Sequence, residues 1–517
     1  MAGHFRQNYV SNSYPDLPQF SGFMKPCRFE GEVQNVEVHG SIPPEINGTF
    51  YRVMPDPKFP PFIENDAWFN GDGCVSAFRF HDGRVDFQQR FVRTEKFERE
   101  REANRALVGK SPCKYRNKYT DIVSFKTRTT ANTNIIHFNG NLLACKEDGL
   151  PYAMDPDTLE TLGLWDFEGQ LESATFTAHP KFDPETGEMV CFGYEAKGDG
   201  TPDVNYYTFD KNGKMRENVW LVAPVVAMIH DFAVTENHVC VWYAISSETY
   251  KSTQVIFPLI PHTCSLERMK AGGEHWQWDP TIPCYFGVLP RHGPKSEDVK
   301  WFRSRNAFPG HVANAYETED GQITIDLPMS EQNVFFWWPD KDGNAPAPTD
   351  LCSQLSRFVF DPRTDDMDLP EPLILAKADV EFPRIDDRYS MTKHRYCFMN
   401  VMDHNMETNF AAIGPVMGGG YPLYNALGQL DLSTGEMKKY FVGGQSMVQE
   451  PVFIPRSKAA NEGDGYVMAL VNRYETMSSD LVILDARRWE LVAEVKLPLR
   501  LRAGLHGNWV DASDLAR

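Results

Sequence analysis

Fourteen histidines are scattered along the 517 residues, and a histidine is more often a surface or hydrogen-bonded core residue than a ligand. Four stand apart by their setting: His179 in Thr177-Ala178-His179-Pro180-Lys181, His230 in Met228-Ile229-His230-Asp231-Phe232, His311 in Pro309-Gly310-His311-Val312-Ala313, and His506 in Gly504-Leu505-His506-Gly507-Asn508. Each is flanked by small or apolar residues, the surroundings of a side chain held at the inner end of a strand. Their separations of 51, 81 and 195 residues rule out one local HxxxH site and fit ligands drawn from separate structural units around a common axis. Imidazoles gathered in this way bind transition metals, so the chemistry to expect is metal-assisted.

The elements that must position them are strands. Runs with alternating or β-branched character recur at Val75–Phe80, Asn141–Cys145, Met189–Tyr194, His238–Tyr243, Gln322–Leu327, Tyr466–Leu470 and Leu481–Leu484. Between such runs lie Asp82-Gly83, Asn139-Gly140, Asn212-Gly213 and Asp320-Gly321, dipeptides that accept the positive φ of a tight hairpin. A second signal, an apolar residue followed by Asp and a turn cluster, repeats at Asp155, Asp183, Asp361, Asp431 and Asp485. Hairpins repeated over this length point to an all-β propeller rather than a sandwich, although the repeat is too degenerate to count blades. Thr94–Leu107, rich in Glu, Arg and Ala behind a capping Thr, is the one helix candidate singled out. Residues 344–348 read as a loop. No Gly-, Ser- or Pro-rich linker divides the chain, so residues 1–517 are expected to form a single domain.

Composition narrows the class. With 52 basic and 71 acidic residues the formal charge is −19, which disfavours nucleic acid and anionic membranes. No window resembles a membrane span or a secretory leader, so membrane association is expected to be weak or absent and the location cytoplasmic. The ten cysteines form no CxxC pair and read as reduced thiols rather than a zinc ribbon. The sequon at Asn47 is accordingly expected to be unused.

Longer stretches resemble the carotenoid cleavage oxygenase family: Gly48-Thr49-Phe50-Tyr51-Arg52, Phe69-Asn70-Gly71-Asp72-Gly73, Thr130-Ala131-Asn132-Thr133, Lys146-Glu147-Asp148-Gly149, Glu381-Phe382-Pro383-Arg384 and Glu450-Pro451-Val452-Phe453, interleaved with the four histidine segments in the family's order. The resemblance covers nearly the whole chain. It implies a seven-bladed β-propeller, with loops and short helices capping an axial iron site. One iron(II) per chain is expected on His179, His230, His311 and His506, with no haem and no organic co-substrate. Glu147, Glu381 and Glu450 would support three of the ligands from behind, each accepting the distal N–H of an imidazole. Four nitrogens on an octahedral ion leave two positions for O2 or solvent, and Thr133 matches the residue whose methyl crowds one of them.

The resemblance also suggests the substrate. In stilbene-cleaving members a Lys and a Tyr bind the 4-hydroxyl, and Lys146 and Tyr115 match those places. A lysine ammonium favours the phenolate, which pushes electron density onto the alkene, whereas a polyene has no use for a cation in an apolar tunnel. Phe69 is placed to stack on a substrate ring. The expected reaction is cleavage of the central C=C bond of a 4-hydroxystilbene such as resveratrol by O2, giving two aromatic aldehydes through a dioxetane or another peroxide. The alternatives are a carotenoid or apocarotenoid oxygenase, an isomerase of the same fold, and a scaffold without catalysis. For the polyene reading, the apolar run 255–261 would be a membrane-facing rim; otherwise it is a buried segment. Three departures from the family pattern stand out: Cys74, the turn from Val53 to Pro57, and Pro309-Gly310 before His311. The last is expected to reshape the wall near the metal.

Overall fold

The computed structural model describes residues 13–61, 67–108, 128–236, 253–419 and 422–515; Tyr115 and the run His238–Tyr243 lie outside them. The strands form seven antiparallel sheets, the blades of a propeller. In chain order the second to sixth blades occupy residues 134–164, 181–222, 227–304, 308–376 and 379–441. The first and last blades share the chain ends. Gly507–Asp511, near the C-terminus, pairs with Gly48–Pro55 and completes the first blade from the inside. Glu37–Gly40, near the N-terminus, pairs with Glu490–Lys496 and completes the seventh from the outside. Ring closure therefore uses two interlocked strands, one from each end.

Strand positions expected from alternation reappear in Gly73–His81, Asn141–Cys145, Met189–Tyr194, Ile323–Ser330, Gly465–Arg473 and Ser478–Asp485. The hairpins at Asp82-Gly83 and Asn139-Gly140 place both central residues at positive φ, as the tightest turns require. The repeated aspartates have one physical role. The Oδ1 atoms of Asp155, Asp183, Asp361, Asp431 and Asp485 each accept the backbone N–H two residues on, so each side chain builds the turn between adjacent strands of its blade.

The helix Glu95–Ala103 is shorter than its sequence suggests. Thr94 caps it by accepting the Phe97 N–H, and Asn104 ends it in the left-handed conformation. The run 255–261 lies inside the strand Gln254–Cys264, with Val255, Phe257 and Leu259 fully buried; it is core and not a rim. Among the described residues no helix is long and apolar enough to cross a membrane.

A buried guanidinium ties the closure together. Arg502 donates to the carbonyls of Gln19 (2.5 Å), Met24 (2.7 Å) and Pro55 (2.7 Å). It thus staples the segment leading into the last strand to the N-terminal segment. Replacing Arg502 by Met removes a buried donor from the carbonyls of Met24 and Pro55, and unfolding in urea is expected to show a loss of about 2 kcal/mol or more.

Candidate metal centre

The four histidines sit where the innermost strands end or break. His179 lies two residues before the short strand Lys181–Phe182. His230 lies in the gap between Ala227–Met228 and Ala233–Val234, and His311 in the gap between Phe308–Pro309 and Asn314–Glu317. His506 comes just before Gly507–Asp511. A break in the pairing lets a side chain turn off the blade and toward the axis. The four rings converge there, each offering one nitrogen, with all four nitrogens within 4.8 Å of one another. The Nε2 atoms of His230 and His311 are 3.1 Å apart, and those of His179 and His230 are 3.3 Å apart.

Three glutamates fix the tautomers. Glu147 lies 2.8 Å from His230 Nδ1, Glu381 lies 2.8 Å from His311 Nδ1, and Glu450 lies 2.9 Å from His506 Nδ1. A carboxylate there accepts the Nδ1–H, leaving an Nε2 lone pair aimed at the axis. His230 and His311 therefore face each other lone pair to lone pair, an arrangement that a cation between them relieves. His506 Nε2 is buried and has no hydrogen-bond partner. The closest nitrogen spacing is that of adjacent ligands on one ion with imidazole–metal bonds of roughly 2.0–2.1 Å, as for zinc. The residues fit a metal bound by four neutral imidazoles.

The electrostatics differ between the rings: burial holds His506 below the ordinary imidazole value, whereas His311, despite its burial, is held above it by the Glu381 carboxylate until a cation takes the proton's place. Burial pushes the carboxyls of Glu381 and Glu450 up, but His311 and His506 beside them draw both below the ordinary carboxylate range. Burial first, and then the other three rings, hold His179 far below the ordinary imidazole value, so it stays neutral. His179 has no carboxylate behind it among the described contacts; its backbone N–H is held by Thr177 Oγ1 at 2.9 Å.

Local backbone irregularity explains how the glutamates reach the axis. The register slips between Glu381 and Arg384 and again between Val448 and Pro451, and such bulges re-aim side chains. Phe382, at φ +52°, folds back so that its ring stacks on His311 at 5.0 Å. Gly310 is needed for the approach: a Cβ there would meet Glu381 Oε1 at 2.2 Å. The Pro309-Gly310 departure thus makes room for the carboxylate as well as lining the cavity wall.

Two further charged residues hold the loops; both lie within the motif segments, but the sequence assigned neither a role. Asp231 accepts from Lys181 Nζ at 2.8 Å and from the Val312 N–H at 2.8 Å, joining the His179, His230 and His311 segments. Arg384 donates to the Gly507 carbonyl at 3.1 Å and lies 3.6 Å from Glu450 Oε1.

The centre opens into a cavity of about 880 Å3, to which His230, His311, Thr133, Lys146 and Phe69 all contribute. Lys146 is buried; its Nζ donates to Thr130 Oγ1 at 3.1 Å and lies 3.4 Å from Asp148 Oδ2. Phe69 packs against Trp337 and Trp338 at 5.4 Å each. These tryptophans belong to the run Phe335-Phe336-Trp337-Trp338, an aromatic wall that four consecutive aromatic residues could have announced. Behind it His262, pushed down to about 3 by burial, packs as a neutral ring on Phe335 and Trp338. Tyr115, expected beside Lys146, lies outside the described residues.

Comparison with known proteins agrees with this architecture. The family model described as RPE65, retinal pigment epithelial membrane protein, matches residues 24–511. The chain is 61% identical over 503 residues to resveratrol cleavage oxygenase 1 of Aspergillus fumigatus, covering 97% of each chain. It is 55% identical to carotenoid cleavage oxygenase 1 of Neurospora crassa, covering 96% of this chain and 91% of that one. Its fold matches the crystal structure of Pseudomonas brassicacearum lignostilbene dioxygenase with a TM-score of 0.90 at 43% identity, over 97% of this chain and 100% of the other.

Two outcomes test the centre. Gly310→Ala, which drives a Cβ into Glu381, is expected to weaken metal binding by roughly 10–100-fold, the usual cost of losing a carboxylate behind a ligand, measured by chelator competition. His230→Ala is expected to purify folded, by circular dichroism, without retained metal; a full complement of metal would exclude His230 as a ligand. Geometry and relatives together place the chain in the carotenoid cleavage oxygenase family of dioxygenases, which split carbon–carbon double bonds.

Proposed function

We propose that the protein holds one iron(II) on His179, His230, His311 and His506 and uses O2 to cleave the central double bond of 4-hydroxystilbenes such as resveratrol. The observation that carries the stilbene reading is Lys146, an ammonium buried in the wall of the same cavity that His230 and His311 line. Relatives named for resveratrol and lignostilbene cleavage support it.

The bound iron supplies activation of O2 toward the alkene. The protein supplies the rest. Glu147, Glu381 and Glu450 keep the ligand rings in the tautomer that presents Nε2. Thr133, whose carbonyl accepts the His506 N–H at 3.2 Å, is held beside the centre to limit access to it. Phe69 and the Trp337–Trp338 wall pack against a planar aryl ring. Lys146 donates a hydrogen bond to the phenol oxygen and favours its ionisation; the ionised oxygen feeds electron density through the ring to the alkene. Thr130 and Asp148 hold the ammonium in place for that contact. Tyr115 is assigned to the same phenol on sequence alone.

With resveratrol and O2 the iron-loaded protein is expected to give 4-hydroxybenzaldehyde and 3,5-dihydroxybenzaldehyde, identified by chromatography and mass. Lys146→Met is expected to keep its iron but lose about 10–100-fold in kcat/KM, the value of a charge-assisted hydrogen bond of roughly 1.5–3 kcal/mol. The 4-methoxy analogue should be slowed comparably on the unaltered protein. Cleavage of an apocarotenoid by iron-replete protein that leaves resveratrol intact would instead support the polyene reading, which the Neurospora relative's name favours.

A further inference from the structure

A second group of metal-ligating side chains, separate from the four histidines, adjoins the cavity through Glu195. Glu195, Cys264 and His275 each offer one donor atom, and the three donors lie within 4.8 Å of one another. They come from different elements. Glu195 follows the strand Met189–Tyr194 in the third blade. Cys264 ends the strand Gln254–Cys264 in the fourth, and His275 precedes Trp276–Trp278, which pairs with that strand so that Cys264 faces Trp276. Arg268 locks this hairpin by donating to the carbonyls of Thr263, Glu274 and His275. The ligand positions are thereby fixed by backbone contacts that leave the donor atoms uninvolved.

All three side chains are buried. Glu195 Oε2 lies 2.8 Å from His275 Nε2, and its other oxygen accepts the Gly200 N–H at 2.5 Å. His275 Nδ1 is buried without a hydrogen-bond partner. Burial first, and then the Glu195 carboxylate, push the Cys264 thiol far up, with Asp199 adding negative potential from nearby. Without a cation this is a thiol and an imidazole leaning on one carboxylate; a bound cation displaces the thiol proton to solvent. Glu195, Gly198, Asp199 and Trp276 line the cavity, which gives an ion both a path of entry and an open side.

We propose that Glu195, Cys264 and His275 form a second metal site, selective for a borderline-soft divalent cation such as zinc or cobalt, with its open coordination position toward the cavity. One sulfur, one imidazole nitrogen and one carboxylate oxygen suit that class, whereas magnesium and calcium prefer all-oxygen sites. The site stands independently of the iron assignment and the stilbene reading.

Cobalt(II) distinguishes the two centres, because the four-histidine centre offers no sulfur. Iron-loaded protein, titrated anaerobically with cobalt(II), is expected to take up one further ion per chain. A near-ultraviolet thiolate-to-cobalt charge-transfer band should appear and be bleached by added zinc. Cys264→Ser should abolish both the band and the additional ion, and His275→Ala should weaken uptake at least tenfold. No additional ion, an additional ion without the band, or a band that survives Cys264→Ser would each overturn the proposal. The wild-type spectrum decides the matter even if a variant fails to fold.

Discussion

Seven strands, one from each blade, have to meet around a single axis, and everything at the centre depends on what happens where their pairing lapses. A regular strand sends alternate side chains up and down its blade; it does not aim them along the axis. The inner strands here are short, broken or bulged, and six of the seven residues of the centre come from their ends, breaks or bulges, while Glu147 follows Asn141–Cys145, the next strand out in its blade. In blade order these are His506, Glu147, His179, His230, His311, Glu381 and Glu450. The ring thus contributes four nitrogens and three carboxylates, one per blade. Closing the ring with strands from both ends makes that convergence a property of the whole chain.

The carboxylates bring a cost that the structure offsets locally. Burying Glu381 and Glu450 is unfavourable unless each meets charge or donors. Each meets an imidazole N–H and a backbone N–H: that of His311 for Glu381 and that of Gly507 for Glu450. Arg384 adds a cation beside Glu450, and Lys181 balances Asp231. The same contacts that stabilise the anions fasten the histidine loops to one another. Electrostatic compensation and ligand positioning are therefore one network, and a change that disturbs either disturbs both.

How much of this could be read from the residues follows from physical range. The histidines were legible because their small, apolar neighbours mark strand ends. The turn aspartates were legible because they act two residues along the chain. The blade count was not, because blade boundaries depend on pairing across tens of residues, and it came from resemblance. Gly310 looked like an oddity of the wall, since nothing local reveals that Glu381, 71 positions on, presses against it. The bulges at Glu381 and Glu450 were equally hidden, because a register slip is a property of two strands. The Glu195–Cys264–His275 group escaped notice for the same reason. The apolar run 255–261 kept two readings open until pairing on both sides placed it in the core.

Substrate choice comes down to polarity in the cavity. Aromatic side chains such as Phe69, Phe335 and Trp338 favour any flat apolar molecule, polyene or stilbene alike, so they do not decide between the two. In the reading proposed above, a buried ammonium does. Among the described residues Lys146 exchanges hydration for a hydroxyl at 3.1 Å and a carboxylate oxygen at 3.4 Å, the second beyond good hydrogen-bond range. A hydrocarbon entering beside it would displace water and return nothing to the cation. A phenol returns an acceptor, and an ionised phenol returns a charge. On the proposed phenol-binding role, the cation penalises one substrate class as it rewards the other, and selectivity is a difference between affinities.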